Sequence, residues 1–501
     1  MQNSTLMQWE QLLSGVRLRD RQVKDRTKDN EYDLRNDFDD DYSRLIISSA
    51  VRRLQDKAQV FPLDNSDFVR TRLTHSHEVA TIGRSLGISV EKYLSKRKPQ
   101  AFKEESVGKL SALLAVAGLV HDLGNPPFGH FGEAAIQTFF RDWFENEKNL
   151  RQLAEGNSQY AKQMQADFEH FEGNAQSFRL LTKLNGLVDE YSYNLSAASL
   201  ASILKYPRSS LEGNKSRAER KAQDLGVSYK KFGYMTSEQE RFELVRQYTG
   251  IMDKRHPVTF LLEAADDIAY SAADIEDGCK KKVLDYSIIT DVFAEFFKTE
   301  DDRKLLDSFV SDFKQNTEER RSDRLDNAVQ KLRIKAQGAM IHGVVESFLK
   351  LHDRILNGDF DEEILENSSA AKVREAFRAL AENYIFPNRD IITRELVGGK
   401  VIRGLLEIFV CSVSTDSIYQ LAELEKNIFK INDEFAYSEK GKNFMLISDN
   451  YRYLMQRYPF SLQVDKQPSL YDRLLLVTDF VCGMTDTYAL ELYQKLSGIK
   501  L

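Results

Sequence analysis

Apolar residues recur every three or four positions along most of this chain, with charged residues between them, and that period predicts one helix after another. The stretch YSRLIISSAVRRLQDKAQVFPL, from Tyr42, predicts a helix with Leu45, Ile46, Ala50, Val51 and Leu54 inward, closed before Pro62. After a polar loop holding Arg70 and Arg72, a second helix is predicted from near Thr74, with His75 in its first turn. Leu110 to Val120 is almost unbroken apolar sequence and predicts a buried helix that delivers His121 and Asp122 at its C-terminal end. Gly124, Pro126 and Pro127 cannot continue that helix, so a loop carries His130 and Glu133 back past the end.

The amphipathic run EAAIQTFFRDWF follows, then a polar connection over 146–166. A helix over 170–184 carries Glu172 and Asn174 at its N-terminal end, where free N–H groups favour acceptors. Asn174 reads there either as a cap or as a ligand-facing side chain. The apolar helix over 195–207 stops at Pro207 and leaves Lys205 and Tyr206 at its end. Residues 208–236 are rich in lysine and serine and read as a mobile surface excursion.

The helix over 256–278 is the third informative one. Phe260, Leu261, Ala264, Ile268 and Ala272 form its packed side, and Asp266, Tyr270 and Asp274 recur every four residues as a polar stripe. Acids in an alanine-rich apolar helix are costly unless paired or bound to a metal, which favours function over a solvated face. Beyond 280 the sequence predicts helices with charged surfaces, a solvated stretch at Glu318–Arg324, and amphipathic helices over 400–410 and 471–496. The first 43 residues read as a polar arm with a short helix at WEQLLSG, and Asp37–Asp41 as a solvated turn.

Composition narrows the class. Of 501 residues 42% are hydrophobic, enough for a large core, while 9 prolines and 25 glycines are few for a chain of this length and fit a mostly α protein. No apolar run reaches the roughly 18 residues needed to span a bilayer, and MQNSTLMQWEQ lacks the apolar segment of a signal peptide. Cys279, Cys411 and Cys482 are too few and too scattered for a disulfide framework or a thiolate zinc site. The expectation is a cytoplasmic protein with no membrane partner. The net charge of −7 gives no support for a large DNA footprint, though a local cluster of Arg and Lys can still hold an anion.

A lone histidine usually has no special role, and His77 keeps that reading. Together, however, His75, His121, Asp122 and Asp266 offer two imidazoles and two carboxylates. That sulfur-free set suits Mn²⁺, Fe²⁺, Mg²⁺, Zn²⁺ or Co²⁺ without choosing among them.

These residues carry a resemblance. His75, His121-Asp122 and Asp266 match the pattern of HD-domain phosphohydrolases. RRLQDKAQVFPL, VRTRLTHSHEV, HDLGNPPFGHFGEAAI, HFEGNAQ, ILKYP, LLEAADDIAYSAADIED and GMTDTYALELY resemble, in order, the bacterial deoxyguanosine triphosphate triphosphohydrolases (dGTPases). The resemblance implies an all-α fold: an HD-domain helical core with appended C-terminal helices and minor β content at most. The expected layout is an N-terminal arm over 1–43, the catalytic core over 44–280 and a C-terminal helical part over 281–501, packed as one body.

The implied reaction is hydrolysis of dGTP at the α-phosphorus to deoxyguanosine and intact triphosphate, in dNTP pool control. By resemblance the metal ligands are His75, His121, Asp122 and Asp266, with Mn²⁺ or Mg²⁺ the expected ion and Fe, Co or Zn as alternatives. His130, oriented by Glu133, serves as proton donor or relay, with acid and base roles both open. Arg53, Arg72 and Lys205 are the expected triphosphate holders. Tyr270, Asp274 and Gln59 are assigned to the deoxyribose, Glu407 to the guanine edge, and Asn174 and Tyr206 to further substrate contacts. Expected partners are a dNTP substrate, further copies of the chain (a hexamer by resemblance), and single-stranded DNA or a dNTP as allosteric effector. Two alternatives stand beside this reading: another HD-type nucleotide phosphohydrolase, and a nucleic-acid-responsive regulatory protein.

Overall fold

The helical period holds along the chain. A computed structural model describes residues 6–20, 32–64, 66–155, 158–185, 189–415, 418–420, 430–461 and 468–499. Among them the only paired strands are Tyr419–Gln420 and Lys430–Ile431, an antiparallel ribbon, so the fold is all-α. The chain leads through α1 (Asp37–Ile46), α2 (Arg72–Arg97), α3 (Lys109–Val120), α4 (Gly129–Phe144), α5 (Gly173–Thr182) and α6 (Ala197–Ser202) to α7 (Pro257–Lys280). Beyond it lie α8 (Arg324–Asn357), α9 (Ala371–Leu380), α10 (Arg389–Val413), α11 (Leu470–Cys482) and α12 (Asp486–Leu496). No helix among the described residues is long and apolar enough to cross a membrane.

Local chemistry sets the ends. Thr71 and Thr74 form a reciprocal cap that starts α2 two residues before the predicted Thr74. Pro257 occupies the first turn of α7, behind the His256 cap, where its missing N–H costs nothing. The stretch from Tyr42 is not one helix: Ser48 caps a fresh helix at Ser49–Arg53, and a 3-10 turn follows at Leu54–Asp56.

Two other expectations are corrected. Asp37–Asp41 is the first turn of α1 rather than a solvated turn. Asn36 and Asp39 form its capping box, the acids sit at the positive end of the helix dipole, and Asp41 is buried. Asp41 accepts from Arg17 Nη1 at 2.7 Å and from the Ser196 and Ser199 hydroxyls, each at 2.8 Å. Residues 208–236 are not a free excursion either. Phe232, Tyr234 and Met235 are buried, Tyr234 stacks on Phe242 at 4.1 Å, and Asp361 accepts from the Ser228 hydroxyl at 2.6 Å. Within that segment the short helix Arg217–Ala222 buries nothing. The N-terminal segment is docked through buried Trp9, whose Nε1 donates to His352 at 3.1 Å. Of the predicted N-terminal arm over 1–43, residues 1–5 and 21–31 lie outside the described residues.

Apolar side chains gather in two clusters. One joins α1, α2, α3, α7 and α8 through residues such as Leu45, Val79, Leu113, Ile268 and Val344. The other joins α4, α10 and α11 through Phe128, Phe140, Phe409 and Tyr471. The loop after His121 passes from the first cluster to the second.

The tightest contact in the first cluster is between α2 and α3. A Cβ on Gly118 would stand 2.6 Å from the Ala80 backbone, and one on Gly87 would stand 2.7 Å from Ser111 Cα. Only hydrogen at these positions lets the two backbones approach so closely, and that approach sets His75 against His121. Gly118→Val is therefore expected to destabilise the fold by roughly 1–3 kcal/mol or more, because two packed backbones cannot yield to a side chain. Thermal unfolding measures this; an unchanged midpoint would show that the helices part at no cost.

Candidate active site

His75 projects from the first turn of α2, His121 from the C-terminal end of α3, and Asp266 from the middle of α7. Both imidazoles are buried, with ring centroids 5.4 Å apart. Asp266 Oδ1 lies 3.1 Å from His75 Nε2 and 3.5 Å from His121 Nε2. Ligand atoms of these three residues all fall within 4.8 Å of one another. Asp122 stands at the rim: its Oδ1 is 3.5 Å from His121 Nε2, and its Oδ2 is ion-paired with Arg72. Lys205 Nζ donates to Asp266 Oδ2 at 3.0 Å.

The donor set fits a divalent cation. His121 Nδ1 is 2.8 Å from the Gly118 carbonyl, an acceptor, so this nitrogen carries the proton. His121 Nε2 is buried, makes no hydrogen bond and faces two carboxylates. A lone pair aimed at acceptors is a stable arrangement only with a cation between them. The titration shifts express the same demand. Burial pulls the His121 pKa down, but Asp122 and Asp266 outweigh it and the net shift is upward. Burial pushes Asp266 up, yet Lys205 and His121 hold it well below the usual carboxylate range.

Beside this cluster a cavity of about 860 Å³ is lined by eleven of the predicted residues: Gln59, Arg72, Asp122, His130, Glu133, Asn174, Lys205, Tyr206, Asp266, Tyr270 and Asp274. His130 is 82% exposed at its mouth, with Nδ1 2.9 Å from Glu133 Oε2. That hydrogen bond raises the His130 pKa. Glu133 is buried and fixed through Oε1, which accepts from Gly173 N at the start of α5 at 2.8 Å. Asn174 is not the cap of that helix: Glu172 is, and Asn174 Nδ2 donates to Glu172 at 2.6 Å.

The stripe on α7 is split by environment. Asp266 is held ionised, whereas burial, with Asp277 nearby, pushes Asp274 up to about 8. Asp274 thus carries a proton near neutrality and can donate as well as accept. Burial, with Asp267 nearby, raises the Tyr270 hydroxyl, which stays neutral.

Two predicted contacts are not at the cavity. Arg53 is exposed at the end of its short helix, because Val51 and Leu54 take the buried side. Glu407 lies on the outer face of α10, 3.3 Å from Arg403, because Leu405, Leu406 and Phe409 bury the inner face.

Sequence reasoning missed a clamp behind the loop. Buried Lys57 donates to the Asn125 and Cys482 carbonyls at 2.6 and 2.7 Å. Asp486, at the start of α12, accepts from Phe128 N at 2.9 Å and Ala58 N at 3.0 Å. These bonds hold Phe128 and Gly129 in the left-handed region (φ 63° and 58°), and a Cβ on Gly129 would lie 2.6 Å from Arg72 Nη2. Asp486 belongs to the quoted GMTDTYALELY stretch, which was the available signal. Also missed were Lys231, 2.7 Å from Glu172, and Arg374, 2.9 Å from Asp267, both on the cavity wall.

Comparison with known proteins agrees with this geometry. The HD-domain family profile matches residues 72–180, from the first residue of α2 into α5. A deoxyguanosinetriphosphate triphosphohydrolase-like protein of Listeria innocua is 39% identical, covering 98% of this chain and all of the relative. One of the same name from Synechocystis is 34% identical over 99% of this chain and all of the relative. A deoxyguanosinetriphosphate triphosphohydrolase of Salmonella paratyphi A is 31% identical over 94% of this chain and 95% of the relative.

The His130–Glu133 pair can be tested alone. Because the folded His130 pKa is raised above 6.5, the pair contributes stability that is complete below that pH and is lost as pH rises through the raised value. Glu133→Gln is expected to return the imidazole titration, followed by NMR, toward 6.5. An unshifted titration would remove Glu133 as the cause.

Proposed function

The chain belongs to the deoxyguanosinetriphosphate triphosphohydrolase family of HD-domain proteins, and on that premise we propose that it hydrolyses dGTP, and other dNTPs as secondary substrates, at the α-phosphorus. The products are a deoxynucleoside and intact inorganic triphosphate. One observation carries the reading: an orphaned, buried His121 Nε2 in a His/Asp cluster opens onto a cavity that also holds a histidine–glutamate pair and six Lys and Arg side chains, Arg72 and Lys205 among them.

His75, His121, Asp266 and Asp122 are the residues that would hold a divalent ion, with Arg72 fixing the Asp122 carboxylate from behind. Mn²⁺ or Mg²⁺ is proposed, and Fe, Co or Zn also suits this N/O set. Such an ion, when bound, supplies Lewis acidity at the α-phosphate and lowers the pKa of water from about 16 toward about 7 in favourable sites.

Everything else is the work of side chains. Arg72 and Lys205 offer the triphosphate positive charge; Arg72 Nε is a buried donor with no partner, available to an anion. The hydrogen bond to Glu133 raises the His130 pKa above its ordinary value, which favours the protonated imidazole. His130 delivers its proton to the leaving 5′-oxygen, so the acid role is favoured, and Glu133 keeps the ring in place. Asp274, uncharged near neutrality, and Gln59, whose buried Oε1 has no partner, match the 3′-hydroxyl. Tyr270 stands on the same face of α7 and rejects a 2′-hydroxyl by crowding.

The reading includes a homo-oligomer. Tyr384, Phe386, Ile392, Leu396 and Val397 are exposed on one stretch of chain that borders the cavity, an apolar surface suited to a second copy. The expected dNTP or single-stranded DNA effector has no contact assigned to it.

The first experiment separates the products formed from each dNTP and from GTP with Mn²⁺ or Mg²⁺. Deoxyguanosine with intact triphosphate is expected from dGTP; pyrophosphate or single phosphate would place attack at another phosphorus and favour a different HD chemistry. His130→Ala is expected to lower kcat by roughly 10²–10⁴-fold with KM little changed. A change confined to KM would make His130 a binding residue. Tyr270→Ala is expected to raise GTP turnover relative to dGTP, and an unchanged ratio would move sugar selection elsewhere.

A further inference from the structure

A second cavity, of about 1270 Å³, shares Lys230, Tyr270, Glu363, Arg374 and Arg378 with the wall of the catalytic cavity. It lies between the 208–230 segment and the chain from the end of α8 into α9. Ten Lys and Arg side chains line it against six Asp and Glu, in a chain whose net charge is −7. The acids are largely spoken for. Asp361 is bound by Ser228, Glu363 and Glu366 pair with Arg374 at 2.8 and 2.7 Å, and Glu362 accepts from Asn367 at 2.9 Å. The cations are not. Among the described residues Lys215, Arg217, Lys221, Lys230 and Lys254 have no carboxylate partner.

A second observation points to a ligand. Arg255 lines this cavity and is only 3% exposed, yet its Nε and Nη1 make no hydrogen bond. Nη2 pairs with Glu263, and Nη1 lies 3.6 Å from Asp361 Oδ1, beyond hydrogen-bond distance. A buried guanidinium with unfilled donors, among crowded like charges, is stabilised by an anion.

The anion is a phosphate chain rather than a nucleic acid. Strand binding needs free aromatic faces for the bases. Here the Tyr229 and Phe260 rings are covered by the Arg208 and Arg255 guanidiniums, 4.0 and 4.3 Å from the ring centroids. We propose that this cavity is a polyphosphate-binding site that takes inorganic triphosphate beside the catalytic cavity. Its use as the first stop of the released product rests on the reaction proposed above; the binding itself does not.

The test uses the full-length, metal-loaded protein and titrates inorganic triphosphate by calorimetry. The wild type is expected to show a binding event beyond the one at the catalytic cavity, which Lys205→Ala identifies. Arg217→Glu, Lys221→Glu and Lys254→Glu, combined, change exposed side chains outside the catalytic lining. The combined variant is expected to keep its thermal midpoint and initial dNTP turnover while losing roughly tenfold or more in affinity at the second event. Equal affinity in wild type and variant, or a single event that Lys205→Ala abolishes, overturns the site. A non-hydrolysable dGTP analogue that binds the second event much more tightly than triphosphate overturns the choice of ligand. Turnover without a second event would remove this inference and leave the proposed reaction standing; a second event without turnover would do the reverse.

Discussion

Two buried imidazoles and a half-buried carboxylate, at the crossing of three helices, are the constraint from which the rest follows. Burying such groups together is expensive unless a cation is shared among them. The protein sets up that expense deliberately. Gly118 and Ala80 remove the bulk that would keep α2 and α3 apart, and the Gly118 carbonyl, freed at the helix end, fixes the His121 tautomer. The same residue thus permits the helix contact and aims the nitrogen.

His130 is positioned from the opposite side. His130 follows two residues held at positive φ, a conformation that costs a non-glycine residue such as Phe128 energy unless its surroundings impose it. Lys57 and Asp486 impose it, and both draw on the C-terminal helices: Lys57 binds the last residue of α11, and Asp486 opens α12. A segment more than 350 residues downstream therefore decides where the loop lies. The His75–His121–Asp266 cluster belongs to the first apolar core and the His130 loop to the second, so the candidate site is completed by the packing of one against the other.

What was legible followed from residue type in an unlikely setting. Asp266, Tyr270 and Asp274 stood out because acids do not belong in an alanine-rich helix; His121 and Asp122 because an apolar run ended on them. Facing direction was harder to read. Arg53 and Glu407 are the right chemistry on the wrong side of their helices, a matter settled by neighbours such as Val51 and Phe409. The lysine-rich composition of 208–236 concealed the three buried residues at 232, 234 and 235 that dock it, and Lys231 with them. The Lys57 and Asp486 contacts join positions far apart in the chain, and no local pattern encodes such a meeting.

The α7 stripe shows how one helix face supports opposite roles. Asp266 and Asp274 are two turns apart and are both carboxylates. Lys205 and the histidines keep the first charged, as a cation ligand must be; burial beside Asp277 keeps the second protonated up to about 8, as suits a group meeting a neutral hydroxyl. Asp267, on the adjacent face, is pushed up to about 7 by burial, against the pull of Arg374. Among the three residues of the stripe, negative charge is thus concentrated at Asp266, the one that faces the two imidazoles. One and two turns further along, Tyr270 and Asp274 present an electrically quiet surface to the cavity. Separating the two carboxylates by environment rather than by residue type is what would let a short stretch of one helix both hold an ion and meet a neutral hydroxyl, as proposed.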